Sequence, residues 1–268
     1  STYISGMDKY TQQVTGYLSA RFDPLGARTG RRSSKGPNFQ NWPPYMRPIV
    51  ISRYPGGKIG DFDYRRLEVV IIAWLSGDER LFEAFTSGDG YIQVGRDIFG
   101  IIVEEGTPQY KAMKSLVLGV DYNMGDEKFA RELWTRHKVY LSEDWEEHKR
   151  QAGRMRRKYL RVYPGISQYL EKREDELLNT GQIVAPNGWI RHLPCPDGRQ
   201  TPGYGHLLNE AVNFPIQHTA SFIIACAMLG IEEELLELEG TSITEYYSML
   251  INSREKYLTT TNTNGIIL

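Results

Sequence analysis

The chain has few cysteines and no long uninterrupted apolar run. Its two cysteines, Cys195 and Cys226, lie far apart with no second pair, so the sequence supports neither a disulfide framework nor a zinc site. A reducing compartment is then the default, and we expect a cytoplasmic protein. No run of about 18 or more apolar residues and no basic-then-apolar leader occurs, so we also expect no membrane partner. The formal net charge of −1 indicates no class of partner by itself.

The charges are unevenly placed along the chain. The 268 residues, of which 40% are hydrophobic, allow one large or two modest globular domains. Basic residues dominate residues 21–53, whereas acidic residues dominate after Ile231, which suggests that the N-terminal part faces a polyanion. Residues 29–44 combine basic side chains with glycine and proline, which predicts an extended loop suited to phosphate oxygens or base edges. A solvated basic loop is the alternative.

Three carboxylates lie close together in the sequence, where a short apolar run is followed by a longer one. Residues 59–62 predict a strand, and residues 67–75 are almost continuously apolar, which predicts a buried helix. Asp61 and Asp63 would share one strand face, with Glu68 one turn inside the helix. Because buried carboxylates need a compensating cation, this arrangement favours magnesium. The alternative is that Asp61 and Asp63 cap the turn and the helix.

Two other stretches place polar side chains at helical spacing. Lys114, Leu118 and Tyr122 recur every four residues and so line one helix face, where they could pair with a phosphate, pack on a base and close around it. An ordinary amphipathic helix is the alternative. Asn213 and Gln217 are also four apart and can face a duplex together, because minor-groove acceptors are nearly the same for every base pair.

Taken in order, these stretches resemble the motifs of family A DNA polymerases over residues 17–230. The resemblance implies an α+β, predominantly helical fold: a right-hand polymerase palm with a small antiparallel sheet, and helical fingers. The matching stretches are Thr29-Gly30-Arg31-x-Ser33-Ser34-x-x-Pro37-Asn38-x-Gln40-Asn41, then Asp63-Tyr64-x-x-Leu67-Glu68 (motif A), the helix of Lys114, Leu118 and Tyr122 (motif B), and Asn213 to Gln217.

The resemblance implies a role for each matched residue. The motif A aspartate of the family binds two Mg²⁺ ions, which points to Asp63 together with the backbone carbonyl of Tyr64. Glu68 matches a glutamate that crowds the sugar 2′ position and so selects deoxynucleotides, and Lys114 matches a catalytic lysine. The implied partners are primer–template DNA and a deoxynucleoside triphosphate (dNTP). The implied nucleotide-binding residues are Arg66, Glu68, Tyr91, Lys114, Leu118 and Tyr122, and the implied DNA-binding residues are Arg31, Asn38, Gln40, Asn213 and Gln217.

The chain departs from the family pattern at three positions. Tyr91 stands where many members have a histidine, so Tyr91 would have to supply the triphosphate contact. Tyr110 replaces an arginine four residues before Lys114, and Asn123 replaces a glycine after Tyr122. Weaker triphosphate binding is the expected result.

The resemblance also implies a domain order. Within the fingers, Asn187-Gly188 predicts the turn of a hairpin. The implied segments are 1–18 (end of a thumb), 19–64 (first part of the palm), 65–208 (fingers), 209–240 (second part of the palm) and 241–268 (a divergent tail).

One family motif does not occur. Motif C, a His-Asp-Glu hairpin whose aspartate is the second metal ligand, is missing, and no aspartate follows Asp197. We therefore expect a truncated or split polymerase, inactive alone, with a separate C-terminal fragment carrying motif C as its partner. A non-catalytic nucleic-acid-binding remnant is the rival interpretation. A phage gene expressed in the host cytoplasm is the expected source.

Overall fold

The computed structural model describes residues 11, 16–52, 56–57, 59–60, 62–238, 242, 244, 245 and 248. The chain divides into two compact units, Ser1–Ala220 and Ser221–Leu268. The described residues are mostly helical, with two two-stranded antiparallel sheets. This confirms the predicted α+β, predominantly helical class.

Short strands come first, followed by helices, a hairpin and one long helix. β1 pairs with β2, with Phe22 opposite Ser34, and β3 pairs with β4, with Ile183 opposite Arg191. The bounds are β1 Arg21–Asp23, β2 Ser33–Lys35, 3₁₀ turns Phe39–Asn41 and Pro44–Ile49, α1 Leu67–Ser76, α2 Glu79–Thr86, α3 Gly90–Phe99, α4 Pro108–Asp121, α5 Asp126–Glu132, a π-helical turn Leu133–His137, α6 Trp145–Val162, α7 Pro164–Asn179, β3 Gln182–Val184, β4 Ile190–His192 and α8 Tyr204–Leu238.

Capping side chains mark where several helices begin. Asp78, Asp89 and Asp144 accept hydrogen bonds from backbone N–H groups in the first turns of α2, α3 and α6. α4 has Thr107 as its cap and Pro108 in its first turn. Both features suit a helix start, where N–H groups lack a partner within the helix. The positions of these helices therefore follow from local sequence.

The strand predicted before α1 does not form in the described part of that region. Residues 62–64 are irregular, and a turn follows before α1 begins at Leu67; Lys58 and Asp61 lie outside the described residues. A strand needs a neighbour to pair its backbone N–H and C=O groups, and neither described sheet extends to this segment. The expectation that a sheet carries Asp63 is therefore wrong, and Asp63 lies exposed just before the helix.

The core of the first unit surrounds α4, which packs against α1, α3, α5 and α6. Leu116, Val117 and Val120 of α4 are fully buried, and each such side chain contributes about 1.5–3 kcal/mol by leaving water. Tyr159 of α6 donates a hydrogen bond to Asp121 at the end of α4, at 2.9 Å. These contacts fix the position of α4 in the core of the first unit.

The β3–β4 hairpin and the first part of α8 close another part of this core. Leu177, Ile183 and Phe214 pack together there. The turn has φ 84° at Gly188, whose N–H donates to the Ala185 carbonyl at 2.9 Å. The predicted hairpin is confirmed.

α8 is long and apolar enough to cross a membrane, judged by length and composition alone. Over Tyr204–Glu237 its mean hydropathy reaches 1.5 in an 18-residue window that is 28% buried. Its first part is a core helix of the first unit, because Ala211, Val212 and Ile216 are fully buried there. Core helices of soluble proteins satisfy the same measure, and the expected lack of a membrane partner stays a prediction.

The predicted domain boundaries also stay predictions. The boundary after residue 64 falls at the turn before α1, and the boundary after residue 208 falls inside α8. Residues 1–10 of the expected thumb end and most of the expected tail, 241–268, lie outside the described residues.

Candidate functional site

Three side chains from distant parts of the sequence meet at the first turn of α1. The two carboxylate oxygens of Glu68 accept hydrogen bonds from the Arg31 guanidinium and the Tyr122 hydroxyl. The Glu68 and Arg31 side chains are 30% and 45% exposed, so the cluster is open to solvent. Burial raises the pKa of the Tyr122 hydroxyl, which keeps it protonated as a donor. We call this group the Glu68 cluster.

The face of α4 predicted to bind nucleotide leads to the Glu68 cluster. Lys114 is exposed, while Leu118 and Tyr122 are half-buried and follow it at one-turn intervals. A cleft of about 420 Å³ borders Leu118 and Tyr122. Other residues on its walls include the cations Lys128 and Arg136 and the carboxylate Glu132.

The backbone conformation of Asn123 explains why the family pattern has a glycine at this position. Its φ is 59°, in the left-handed region that glycine adopts freely and asparagine tolerates better than most residues. Its side-chain amide donates to Asn209 Oδ1 at 3.5 Å. The chain therefore keeps the sharp end of α4 without the glycine.

Tyr91 belongs to the core and not to an open site. It is 3% exposed and packs edge-on against Phe85 and Tyr110. Burial raises the pKa of its hydroxyl to about 12. The triphosphate contact expected of Tyr91 stays a prediction and would require the side chain to leave the neighbouring rings that enclose it.

The Arg66 side chain is bound to neighbours of Tyr91. Its side chain is 9% exposed and pairs with the Asp89 carboxylate, and its guanidinium donates to the Gly88 carbonyl at 3.0 Å. Tyr110 also donates to Asp89, at 3.0 Å. The nucleotide contact of Arg66 stays a prediction and would require it to leave Asp89.

Asn38 and Gln40 hold the basic loop in shape. The Asn38 side chain accepts from the Gln40 backbone N–H at 3.1 Å, and the Gln40 side chain donates to the Arg32 carbonyl at 3.0 Å. Both side chains are exposed. Their contacts with DNA stay predictions.

His218 joins the basic loop, the hairpin and α8, and the sequence reasoning missed it. Its Nδ1 lies 3.2 Å from the Thr29 carbonyl and its Nε2 lies 3.1 Å from Asn187 Nδ2. A carbonyl only accepts and an amide nitrogen only donates, so Nδ1 carries the proton and Nε2 accepts. The imidazole ring also stacks on the Phe214 ring, with the ring centroids 5.4 Å apart. It lies tilted against the Trp189 ring, with the ring centroids 5.2 Å apart. No local pattern marks this residue, because its partner Thr29 is 189 residues away.

The loop approaches His218 too closely for a side chain at position 30. A Cβ on Gly30 would lie 2.8 Å from His218 Nδ1, and the φ of Gly30 is 76°. Arg31 follows directly and reaches Glu68. His218 therefore anchors the loop that carries Arg31.

The two predicted DNA-binding residues of α8 lie on the same helix as His218. Gln217 is half-buried beside His218, and Asn213 has a buried Oδ1 with no hydrogen-bond partner among the described residues.

We expect His218→Ala to lower the free energy of unfolding by about 2–3 kcal/mol, because two hydrogen bonds and the ring contacts are lost. Trypsin should also cut native protein faster after Arg28, Arg31 or Arg32. His206→Ala is the matched control, since that side chain is 78% exposed on α8 and should cost under about 0.5 kcal/mol. Urea titration and timed digestion test this; equal results for the two variants would refute the anchoring role.

The predicted metal ligands, Asp63 and the backbone carbonyl of Tyr64, lie together before α1. Asp63 and the Tyr64 carbonyl are oxygen donors of the kind that Mg²⁺ prefers, and both residues are exposed. Within the described ranges, no group of three His, Cys, Asp or Glu residues could hold a metal ion.

Comparison with known proteins places the chain in a family. The family model of DNA polymerase family A matches residues 1–250. DNA polymerase I of Geobacillus stearothermophilus is 29% identical over 261 residues, which cover 94% of this chain and 28% of that protein. The thermostable DNA polymerase I of Thermus aquaticus is 27% identical over 259 residues, which cover 94% of this chain and 30% of that protein.

A solved structure agrees with the fold. The POL domain of Pol1 from M. smegmatis, in complex with DNA primer-template and dNTP, superposes with a TM-score of 0.72 at 25% identity. The match covers 89% of this chain and 41% of that one.

The predominantly helical fold agrees with these matches, and the chain belongs to DNA polymerase family A. The family resemblance expected over residues 17–230 is confirmed over a longer range. The chain spans about 28% of the first of these curated relatives. Its phage origin stays a prediction.

Proposed function

We propose that the chain takes part in template-directed DNA synthesis, in which the nucleotidyl group of a dNTP passes to a primer 3′-hydroxyl. The observation that carries this proposal is the Glu68 cluster, where residues of the basic loop, motif A and motif B meet. Membership of DNA polymerase family A supports it. We place the reaction in the cytoplasm.

The open face of α4 would hold the nucleotide. Lys114 pairs with the triphosphate, Leu118 packs on the base, and Tyr122 closes the base-pair slot. Glu68 is held from two sides, by Arg31 and Tyr122, so its carboxylate cannot easily swing away. A ribose 2′-hydroxyl would meet this fixed carboxylate, which favours deoxynucleotides.

The duplex would lie along the basic loop and α8. Arg31, Asn213 and Gln217 would touch minor-groove acceptors, which test pairing geometry without reading sequence. Asn38 and Gln40 lie on the exposed side of the same loop and would contact the backbone of the DNA. His218 ties this loop to α8.

Two Mg²⁺ ions, held by Asp63, the Tyr64 carbonyl and a second carboxylate, would supply the charge compensation and hydroxyl activation of two-metal chemistry. The sequence contains no His-Asp-Glu. In this proposal the second carboxylate comes from elsewhere, either in the same polypeptide or in a separate C-terminal fragment that carries motif C. Residues 1–268 alone would bind DNA and nucleotide and extend primers little or not at all.

A second candidate is a non-catalytic nucleic-acid-binding protein. Residues 62–64 lie outside the helices and strands and Asp63 is exposed, which favours this candidate, because catalytic groups are positioned more precisely on helices and strands than on loops.

Primer extension with and without an added motif C fragment separates the two functions. Fluorescence anisotropy first measures binding of a recessed primer–template and of a single strand of equal length. Binding of the junction with extension only after the fragment is added supports the polymerase. Binding without rescue favours the non-catalytic protein, and no binding of either nucleic acid refutes both.

A further inference from the structure

A groove of about 410 Å³ lies behind α4, away from the Glu68 cluster. All of its lining residues belong to the first unit. Its apolar wall comes from the end of α3, the inner side of α4, the segment after the π-helical turn, and α6. The main apolar side chains are Phe99, Met113, Val139, Leu141 and Met155.

The size and chemistry of this groove are those of a small-molecule site. Such sites enclose roughly 300–1,000 Å³ and combine apolar walls with a few polar groups that orient the ligand. Met113 and Met155 line the groove with flexible, polarisable side chains that adapt to ligand shape. The neutral polar groups on the lining are Gln109 and Gln151.

The charged groups on the lining are both cations. Arg154 and Lys158 are four residues apart on α6, so they stand on one helix face. Arg154 is 66% exposed and approaches the Glu147 carboxylate only at 3.9 Å, and the Lys158 ammonium lies 5.8 Å from the Phe99 ring centre. Of the described lining residues, none is acidic, so the side chains that line the groove carry net positive charge, with the Glu147 carboxylate next to Gln151 outside the lining.

We propose that this groove binds a small amphipathic anion, an apolar chain or ring that carries a carboxylate or similar group. The apolar part lies against Phe99, Met113 and Met155, and the anionic group lies between Arg154 and Lys158. Charge complementarity indicates that the ligand is an anion, because a cationic amphiphile of the same shape would meet two like charges. The groove has eleven lining residues, which suits a small molecule, whereas a stable protein interface involves about 20–30 residues on each side.

The bound anion would touch the back of the proposed nucleotide helix. At about 100° per residue, Gln109 and Met113 on α4 lie roughly opposite Leu118 and Tyr122. Binding in the groove does not depend on the proposed polymerase function, so each can fail without the other.

Calorimetry and thermal melting of the full chain with decanoate, kept below its micelle concentration, test the proposal. Decyltrimethylammonium is the charge-reversed probe, and a helical peptide rich in glutamate and leucine tests a protein occupant. We expect saturable 1:1 binding of decanoate with a rise in Tm, and no saturable binding of the cation. Arg154→Glu and Lys158→Glu should each weaken decanoate binding about tenfold or more, which corresponds to about 1.4 kcal/mol.

Two further variants separate the groove from general charge effects. Val139→Phe should fill the groove and abolish decanoate binding. Lys172→Glu makes the same charge change on an exposed site of α7 outside the groove and should leave binding unchanged. The proposal is overturned if decanoate does not bind, if the cation binds equally well, if the peptide binds more tightly, or if the groove variants behave like Lys172→Glu.

Discussion

Asp121→Asn is expected to stabilise the chain at pH 8 and to flatten the dependence of its stability on pH. Asp121 is 1% exposed, and its Oδ2 has no hydrogen-bond partner among the described residues. Burial raises the pKa of its carboxyl to about 8 from 3.8, despite the hydrogen bond from Tyr159. The nearby Asp78 carboxylate acts in the same direction.

The sign follows from the two pKa values. The folded chain keeps the proton up to about pH 8, whereas the unfolded chain releases it near pH 4. The contribution of Asp121 to the free energy of unfolding is therefore fully present below pH 4 and falls as pH rises to 8, by up to about 1.4 kcal/mol per pH unit. Asparagine does not titrate and can still accept from Tyr159, so this loss disappears.

Urea unfolding at half-unit steps from pH 5 to pH 8.5 measures the effect. The free energies of unfolding of the variant and the parent should converge toward the acid end of this range. At pH 8 they should differ by several kcal/mol, a large share of the total stability of a domain. Asp175→Asn, an exposed aspartate on α7, is the control and should leave the slope intact. Parallel stability curves for Asp121→Asn and the parent would contradict the buried proton.

Asp63→Asn is expected to reduce primer extension by about a thousandfold or more when the chain is complemented with a motif C fragment. The substitution keeps the shape of the side chain and removes the negative charge that would hold the metal ions. Loss of about 4 kcal/mol of stabilisation in the transition state corresponds to that factor. Because Asp63 is exposed, neither Tm nor binding of the primer–template should change.

Gel-based extension assays with Asp197→Asn as the control test this prediction. Asp197 is also exposed and has no proposed role. Full extension by Asp63→Asn would remove Asp63 from the metal site and show that DNA synthesis does not depend on its charge.

The helices were the most predictable part of the fold. α4 and α6 have acceptor side chains at their starts, and β3–β4 has Asn187-Gly188 at its turn. These are signals within a few residues, where periodicity and capping act. The strand before α1 could not be decided in this way, because a strand depends on a partner that may be far away in sequence.

The sequence by itself determined the family and the predominantly helical class, and it singled out Arg31, Glu68 and Tyr122 as candidate binding residues. Only the tertiary structure decided that these three side chains meet, that Tyr91 is enclosed, that Asp121 is buried, and that His218 holds the basic loop. The reason is that hydrogen bonding and desolvation depend on which distant segments pack together, and neither local spacing nor composition records those contacts.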